Sequence, residues 1–125
     1  MKSIVAILLL AISCAAQANN PGQSASSCVT AQADGKGHVT FSNRCGEKIF
    51  VMWCGDLTHS KQRCGDAPDG GFYTHTDNVP AGQSRTTAVR GRFNYAACKG
   101  SVGFGKKGFW TDEPNGSYRC LPSGR

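Results

Sequence analysis

Apolar and polar positions alternate over residues 39–44, where Val39, Phe41 and Asn43 interleave with Thr40, Ser42 and Arg44. A two-residue period of this kind predicts a half-buried strand. The polar quartet Cys45-Gly46-Glu47-Lys48 reads as a turn. Ile49-Phe50-Val51-Met52-Trp53 is then apolar at every position and rich in β-branched and aromatic side chains. A run this short predicts a strand over residues 48–54 covered on both faces. Ile49, Val51 and Trp53 should face one layer, and Phe50 and Met52 the other. Residues 28–33 supply the partner of residues 38–44 in a first hairpin, with Asp34-Gly35-Lys36-Gly37 as its turn.

Residues 55–71 form a polar stretch with Asp56, Asp66, Asp69 and a central His59. Residues 71–75 read as a strand opening, and Asn78-Val79-Pro80-Ala81-Gly82 as a turn. Residues 83–89 lead into Arg90-Gly91-Arg92, read as a tight connection, after which residues 92–98 form a strand with Phe93 and Tyr95 on one face. The last stretch, 99–125, is glycine-rich and aromatic. It predicts a hairpin around Lys106-Lys107-Gly108 that brings Val102, Phe104, Phe109 and Trp110 to the core, while Asn115-Gly116-Ser117 is first a turn. No segment after residue 18 repeats apolar residues at helical spacing, and 16 glycines with 5 prolines argue against long helices. The expected fold is all-β: a small, disulfide-stapled antiparallel β-sandwich or barrel.

The N-terminus changes the picture of where this domain works. Lys2 precedes an apolar run over residues 4–12, and Ala16-Gln17-Ala18 supplies small residues at a cleavage site. This is the pattern of a signal peptide. The run is shorter than the about 20 residues needed to cross a bilayer. Residues 1–18 are therefore expected to be removed, leaving no transmembrane segment, a flexible lead-in over 19–27, and a single β domain over 28–125. A secreted or periplasmic location follows. Ala11-Ile12-Ser13-Cys14 offers a second route, in which Cys14 is lipidated. Apart from Cys14, the chain holds Cys28, Cys45, Cys54, Cys64, Cys98 and Cys120. An even set in a small exported domain reads as three disulfides. There is no Cys-x-x-Cys and no paired histidine spacing, so neither a metal nor a cofactor is expected. Local pairing is the expectation: the first hairpin brings Cys28 to Cys45, Cys54 and Cys64 bracket a polar loop, and Cys98 with Cys120 clips the C-terminal segment.

Several short motifs lie in a suggestive order. Asn43-Arg44-Cys45 is followed by Ile49-x-Val51-x-Trp53, then Pro80-Ala81-Gly82-Gln83-Ser84, then Ala97-Cys98. Together they resemble the opening of thaumatin-like proteins, which are longer β-sandwiches with more disulfides and an acidic cleft that has no counterpart here. The pattern also resembles small exported bacterial disulfide-bonded β domains. Both resemblances imply a β fold and neither implies an activity.

Charge separates the two parts of the chain. Residues 19–83 carry 5 Lys or Arg against 6 Asp or Glu, whereas residues 84–125 carry 8 against 2. Such asymmetry points to an anionic partner. The expected determinants are Arg85, Arg90, Arg92, Lys99, Lys106 and Lys107. The partners in view are an anionic envelope polysaccharide, a lipid head group or an acidic protein; nucleic acid is disfavoured for an exported domain. His38, His59 and His75 are scattered, and no nucleophile or positioned carboxylate accompanies them in sequence. The expectation is a non-enzymatic binding or inhibitor module. A structural or envelope-associated protein, lipid-anchored through Cys14, is the alternative, and an enzyme of unknown reaction the third reading.

Overall fold

A computed structural model of the protein describes residues 24–67, 70–102 and 110–121. These residues form seven strands and no helix: β1 (Val29–Ala33), β2 (His38–Asn43), β3 (Ile49–Leu57), β4 (His75–Val79), β5 (Ser84–Lys99), β6 (Trp110–Asp112) and β7 (Tyr118–Cys120). Five strands make one antiparallel sheet in the order β1-β2-β5-β3-β4, and β6 pairs with β7.

The long strand β5 organises the sheet. Its first part pairs with β2, from Ser42↔Ser84 to His38↔Ala88. Its second part pairs with β3, from Gly55↔Phe93 to Ile49↔Lys99. The sheet turns a corner between the two and folds over itself. Val29, Val39 and Phe41 from β1 and β2 thus meet Ile49, Val51 and Trp53 from β3, with Val79, Val89 and Ala97. The opposite face of β3 carries Phe50, Met52 and Cys54, which pack with Ala96, Cys98, Tyr73 and Cys120. The central strand is covered on both faces, with its side chains divided between the layers as their alternation requires. The sheet does not close: β1 and β4 remain edges.

The β6–β7 hairpin and the segment before β4 form the third layer. Here the sequence expectation needs correction. Residues 71–74 are not strand, because their backbone finds a side chain rather than a neighbouring strand. The Asp112 carboxylate accepts the Phe72 and Tyr73 N–H groups at 3.0 and 3.2 Å, and Trp110 Nε1–H at 3.4 Å. The Tyr73 hydroxyl donates to the Gly116 carbonyl. Burial, helped by Tyr118 and Asp112, pushes the Tyr73 pKa up to about 12. The final turn runs through residues 113–116 and uses the Asn115-Gly116 pair. The expected turn at Lys106-Lys107-Gly108, with Phe104 and Phe109, lies outside the described residues.

Ser24 and Ala25, expected within the lead-in over 19–27, are held by the sheet. Ala25 is fully buried and its N–H donates to the Ala97 carbonyl at 2.9 Å, while Ser24 bridges to Cys98. The three disulfides are Cys28–Cys45, Cys54–Cys64 and Cys98–Cys120, as local pairing predicts. In the loop-entropy account each contributes about 3 kcal/mol, which matters in a domain this small.

One polar side chain sits wholly inside. Asn43 is buried, and all its hydrogen-bonding capacity is directed at backbone. Its Nδ2 donates to the Glu47 and Val79 carbonyls at 3.0 and 2.9 Å, and its Oδ1 accepts the Cys45 N–H at 2.8 Å. Asn43 therefore shapes the turn into β3 and ties it to the end of β4. Asn43→Ala should cost about 2–3 kcal/mol, because it strands buried backbone groups. Urea unfolding of the oxidised protein measures this; a loss below about 0.5 kcal/mol, the surface range, would remove Asn43 from that role.

Candidate functional site

The corner of β5 carries the most exposed charge. Arg90-Gly91-Arg92 is not a tight connection: it lies inside a continuous strand of 16 residues. The pairing is irregular at this point: Gly55 pairs with Phe93 and Leu57 with Val89, so three residues of β5, Arg90-Gly91-Arg92, stand opposite Asp56 alone. Gly55 has φ of 143°, and a Cβ there would lie 2.3 Å from the Arg92 carbonyl oxygen. The two extra residues bulge β5, which bends there without breaking. Beside it, Asp56 lies against Gly91, where a Cβ would meet its Oδ2 at 2.7 Å. Asp56 also pairs with Arg63.

Four of the six expected basic determinants, Arg85, Arg90, Arg92 and Lys99, lie among the described residues. Arg85 Nε pairs with Asp77 Oδ2 at 3.6 Å, and Lys99 Nζ with Glu47 Oε2 at 3.7 Å. Both pairs are partly exposed, hence weak, yet they supply local counter-ions. Arg90 and Arg92 are exposed, two residues apart in the bulged part of β5. No ion pair engages either one among the described residues. Lys106 and Lys107 lie outside the described residues. Strand geometry places Arg85 about 23 Å from Arg92 along the path of β5.

Arg63 escaped the sequence reading because it belongs to the acidic part of the chain. The Cys54–Cys64 bridge was the available signal. It folds the loop back, so that the residue before Cys64 lands beside the residues after Cys54.

A row of rings crosses the inner face nearby. Trp53 is paired across strands with His75 on one side and Tyr95 on the other. His75 stacks on Trp53 with centroids 5.8 Å apart, and Phe41 covers Trp53 and Tyr95 at 5.3 and 5.6 Å. Trp53 is 7% exposed, and its buried Nε1 meets no acceptor among the described residues. Tyr95 and Phe93 are half-exposed. His75 bonds Thr74 Oγ1 through Nδ1 at 2.8 Å, and burial holds its pKa below the ordinary histidine value. Its contribution to stability falls as pH drops below about 6.5, where the unfolded chain protonates first, and levels off once His75 itself protonates.

The three histidines stand apart on different elements. His38 pairs with Asp34 at 3.4 Å, and His59 is exposed in the loop after β3. Among the described residues, no group of three or more His, Cys, Asp or Glu side chains could share a metal ion. A shallow cavity of about 330 Å³ lies at the terminal hairpin, lined by Thr111, Glu113, Ser117, Tyr118 and Arg119. No described helix is long and apolar enough to cross a membrane. Two residues of the short motifs have local structural reasons here: Asn43 shapes a turn, and Trp53 fills the core. No protein family, curated protein or solved structure matches the chain.

Proposed function

We propose that this protein is an exported, non-enzymatic binding module that holds an anionic partner at Arg90 and Arg92. Three intramolecular disulfides suit an extracytoplasmic domain, and the signal-like N-terminus supports export. The observation that carries the reading is the arginine pair. Two exposed arginines stand two residues apart in the bulged part of a strand, with no ion pair among the described residues. Guanidinium forks suit carboxylate, sulfate or phosphate oxygens. Pairing of β5 with β3 on both sides of the bulge, and the Cys54–Cys64 bridge, hold the strand beneath them, so little ordering opposes binding.

Retention on a sulfated polysaccharide matrix and on anionic lipid vesicles tests the proposal. Arg90→Ala/Arg92→Ala should weaken binding at least tenfold, while Arg85→Ala/Lys99→Ala should change it far less. Binding should also fall steeply with salt, since exposed charges are screened beyond about 8 Å at physiological ionic strength. Equal retention of all three proteins, or elution indifferent to salt, would leave the charge as an aid to solubility.

A further inference from the structure

Three arginines meet one carboxylate at the bulge of β5. Asp56 stands alone opposite Arg90-Gly91-Arg92, between the pairs Gly55↔Phe93 and Leu57↔Val89. A Cβ on Gly91 would lie 2.7 Å from Asp56 Oδ2 and 3.4 Å from Asp56 Cβ, so the carboxylate rests against the middle of the bulge. Arg90 and Arg92 flank Gly91, each one Cα–Cα step of about 3.8 Å away. The third arginine arrives from the loop after β3, where Arg63 pairs with Asp56. Arg63 is held in place from both sides. Its own N–H donates to Asp66 Oδ2 at 2.7 Å. The next residue, Cys64, is bonded to Cys54, and its sulfur accepts Asn94 Nδ2–H at 3.6 Å. Asn94 lies two residues beyond Arg92 in β5, so the loop is pinned to the strand beside the bulge.

The charges at this point do not cancel. Three guanidinium groups against one carboxylate leave two positive charges uncompensated. Arg63, Arg90 and Arg92 are exposed and Asp56 is partly so. An exposed ion pair is weak, so Asp56 can yield Arg63 to a stronger acceptor. A phosphate monoester is such an acceptor. It carries a charge of about −1.5 to −2 and three strongly accepting oxygens, which match two uncompensated charges and three guanidinium forks. A sulfate half-ester or a phosphodiester carries a single charge, no more than the carboxylate it has to displace. We infer that Arg63, Arg90 and Arg92 together bind a phosphate monoester at the bulge of β5, and that Asp56 is the internal counter-ion this ligand displaces from Arg63. The carboxylate thereby sets a threshold that singly charged anions meet poorly. The inference rests on the anion-binding reading of Arg90 and Arg92, and adds the third arginine, its counter-ion and the class of anion.

The test uses the mature oxidised protein and two pairs of ligands. One pair is dextran bearing phosphate monoesters and dextran bearing sulfate half-esters. The other is vesicles containing phosphatidic acid, a monoester, and vesicles containing phosphatidylglycerol, a diester. The monoester should bind about fivefold tighter than its singly charged counterpart. Arg63→Ala should lose about tenfold in affinity for it, the loss expected of a charge-assisted hydrogen bond. Arg85→Ala changes the net charge equally and should lose less than about twofold. Asp56→Asn should gain about threefold and narrow the preference for the monoester, whereas Asp77→Asn, which removes the counter-ion of Arg85, should gain less than about twofold. Arginine-dependent binding to the phosphorylated dextran alone, or to phosphatidic acid alone, supports the inference and assigns the monoester to a sugar or to a lipid head group. Loss of binding in Arg90→Ala/Arg92→Ala, with Arg63→Ala and Asp56→Asn no different from their controls, overturns the three-arginine site and leaves the anion-binding reading standing. Equal binding of monoesters and singly charged esters overturns the assigned anion and leaves that reading standing as well. Binding of no ligand overturns both.

Discussion

Gly55→Ala is expected to be the most damaging single-methyl change in the described fold, at about 4 kcal/mol. Two costs combine. With φ of 143° the backbone lies where side chains are rarely tolerated, a strain of about 1–3 kcal/mol. The added Cβ would also sit 2.3 Å from the Arg92 carbonyl oxygen and 2.7 Å from the Phe93 Cα. Both atoms are backbone, so relief requires β3 and β5 to separate, and overpacking adds about 1–3 kcal/mol. Gly35→Ala provides the comparison. Gly35 has φ of 74° with nothing within 4 Å of an added Cβ, so strain acts there alone and about 1 kcal/mol is expected. Urea unfolding of both variants measures the difference. Equal losses would mean that the close approach of β3 to β5 carries no energetic weight. A domain with about 5–15 kcal/mol in total should show the Gly55 change as a large fall in its unfolding midpoint.

Trp53→Ala is expected to cost about 3–5 kcal/mol, the range for truncating a large buried aromatic. Trp53 lies at the junction of both sheet halves, in contact with Phe41 and His75. Among the described residues its Nε1 has no acceptor to lose. Trp53→Phe should therefore cost only about 1–2 kcal/mol, a volume penalty without a broken hydrogen bond. A loss below about 0.5 kcal/mol for the alanine variant would place the ring on the surface. A phenylalanine variant as damaged as the alanine one would show that the indole nitrogen holds a partner after all.

The sheet interior was legible because alternation is a local signal. Val39, Phe41 and Asn43 point inward together, and the unbroken run from Ile49 to Trp53 required cover on both faces. The disulfides followed from the first hairpin and the short polar loop. Two misreadings share a cause. Arg90-Gly91-Arg92 resembles a connection because glycine between arginines is a common turn signal, yet it is a bulge inside one strand, kept there by pairing on both sides with β3, remote in sequence. Residues 71–74 resemble a strand opening because Phe72 and Tyr73 are aromatic, yet Asp112 claims their amides from 39 to 40 residues away. Alternation reports which way a side chain points and says nothing of a distant group that outbids the neighbouring strand. The candidate site was legible in part. Charge singled out Arg90 and Arg92 among six basic residues, but only pairing separates these two from Arg85 and Lys99.

The order of the cysteines has a consequence for how the molecule is made. The bridges join Cys28 to Cys45, Cys54 to Cys64 and Cys98 to Cys120, with separations of 17, 10 and 22 residues. Within this set of six, each cysteine is bonded to its neighbour along the chain, and no loop encloses another. In a chain that emerges N-terminus first, every pair is complete before a cysteine of the next pair appears. A donor of oxidising equivalents then suffices, and a catalyst that reshuffles wrong bonds is not required. Refolding from the fully reduced chain is a harder task, since all six thiols compete at once.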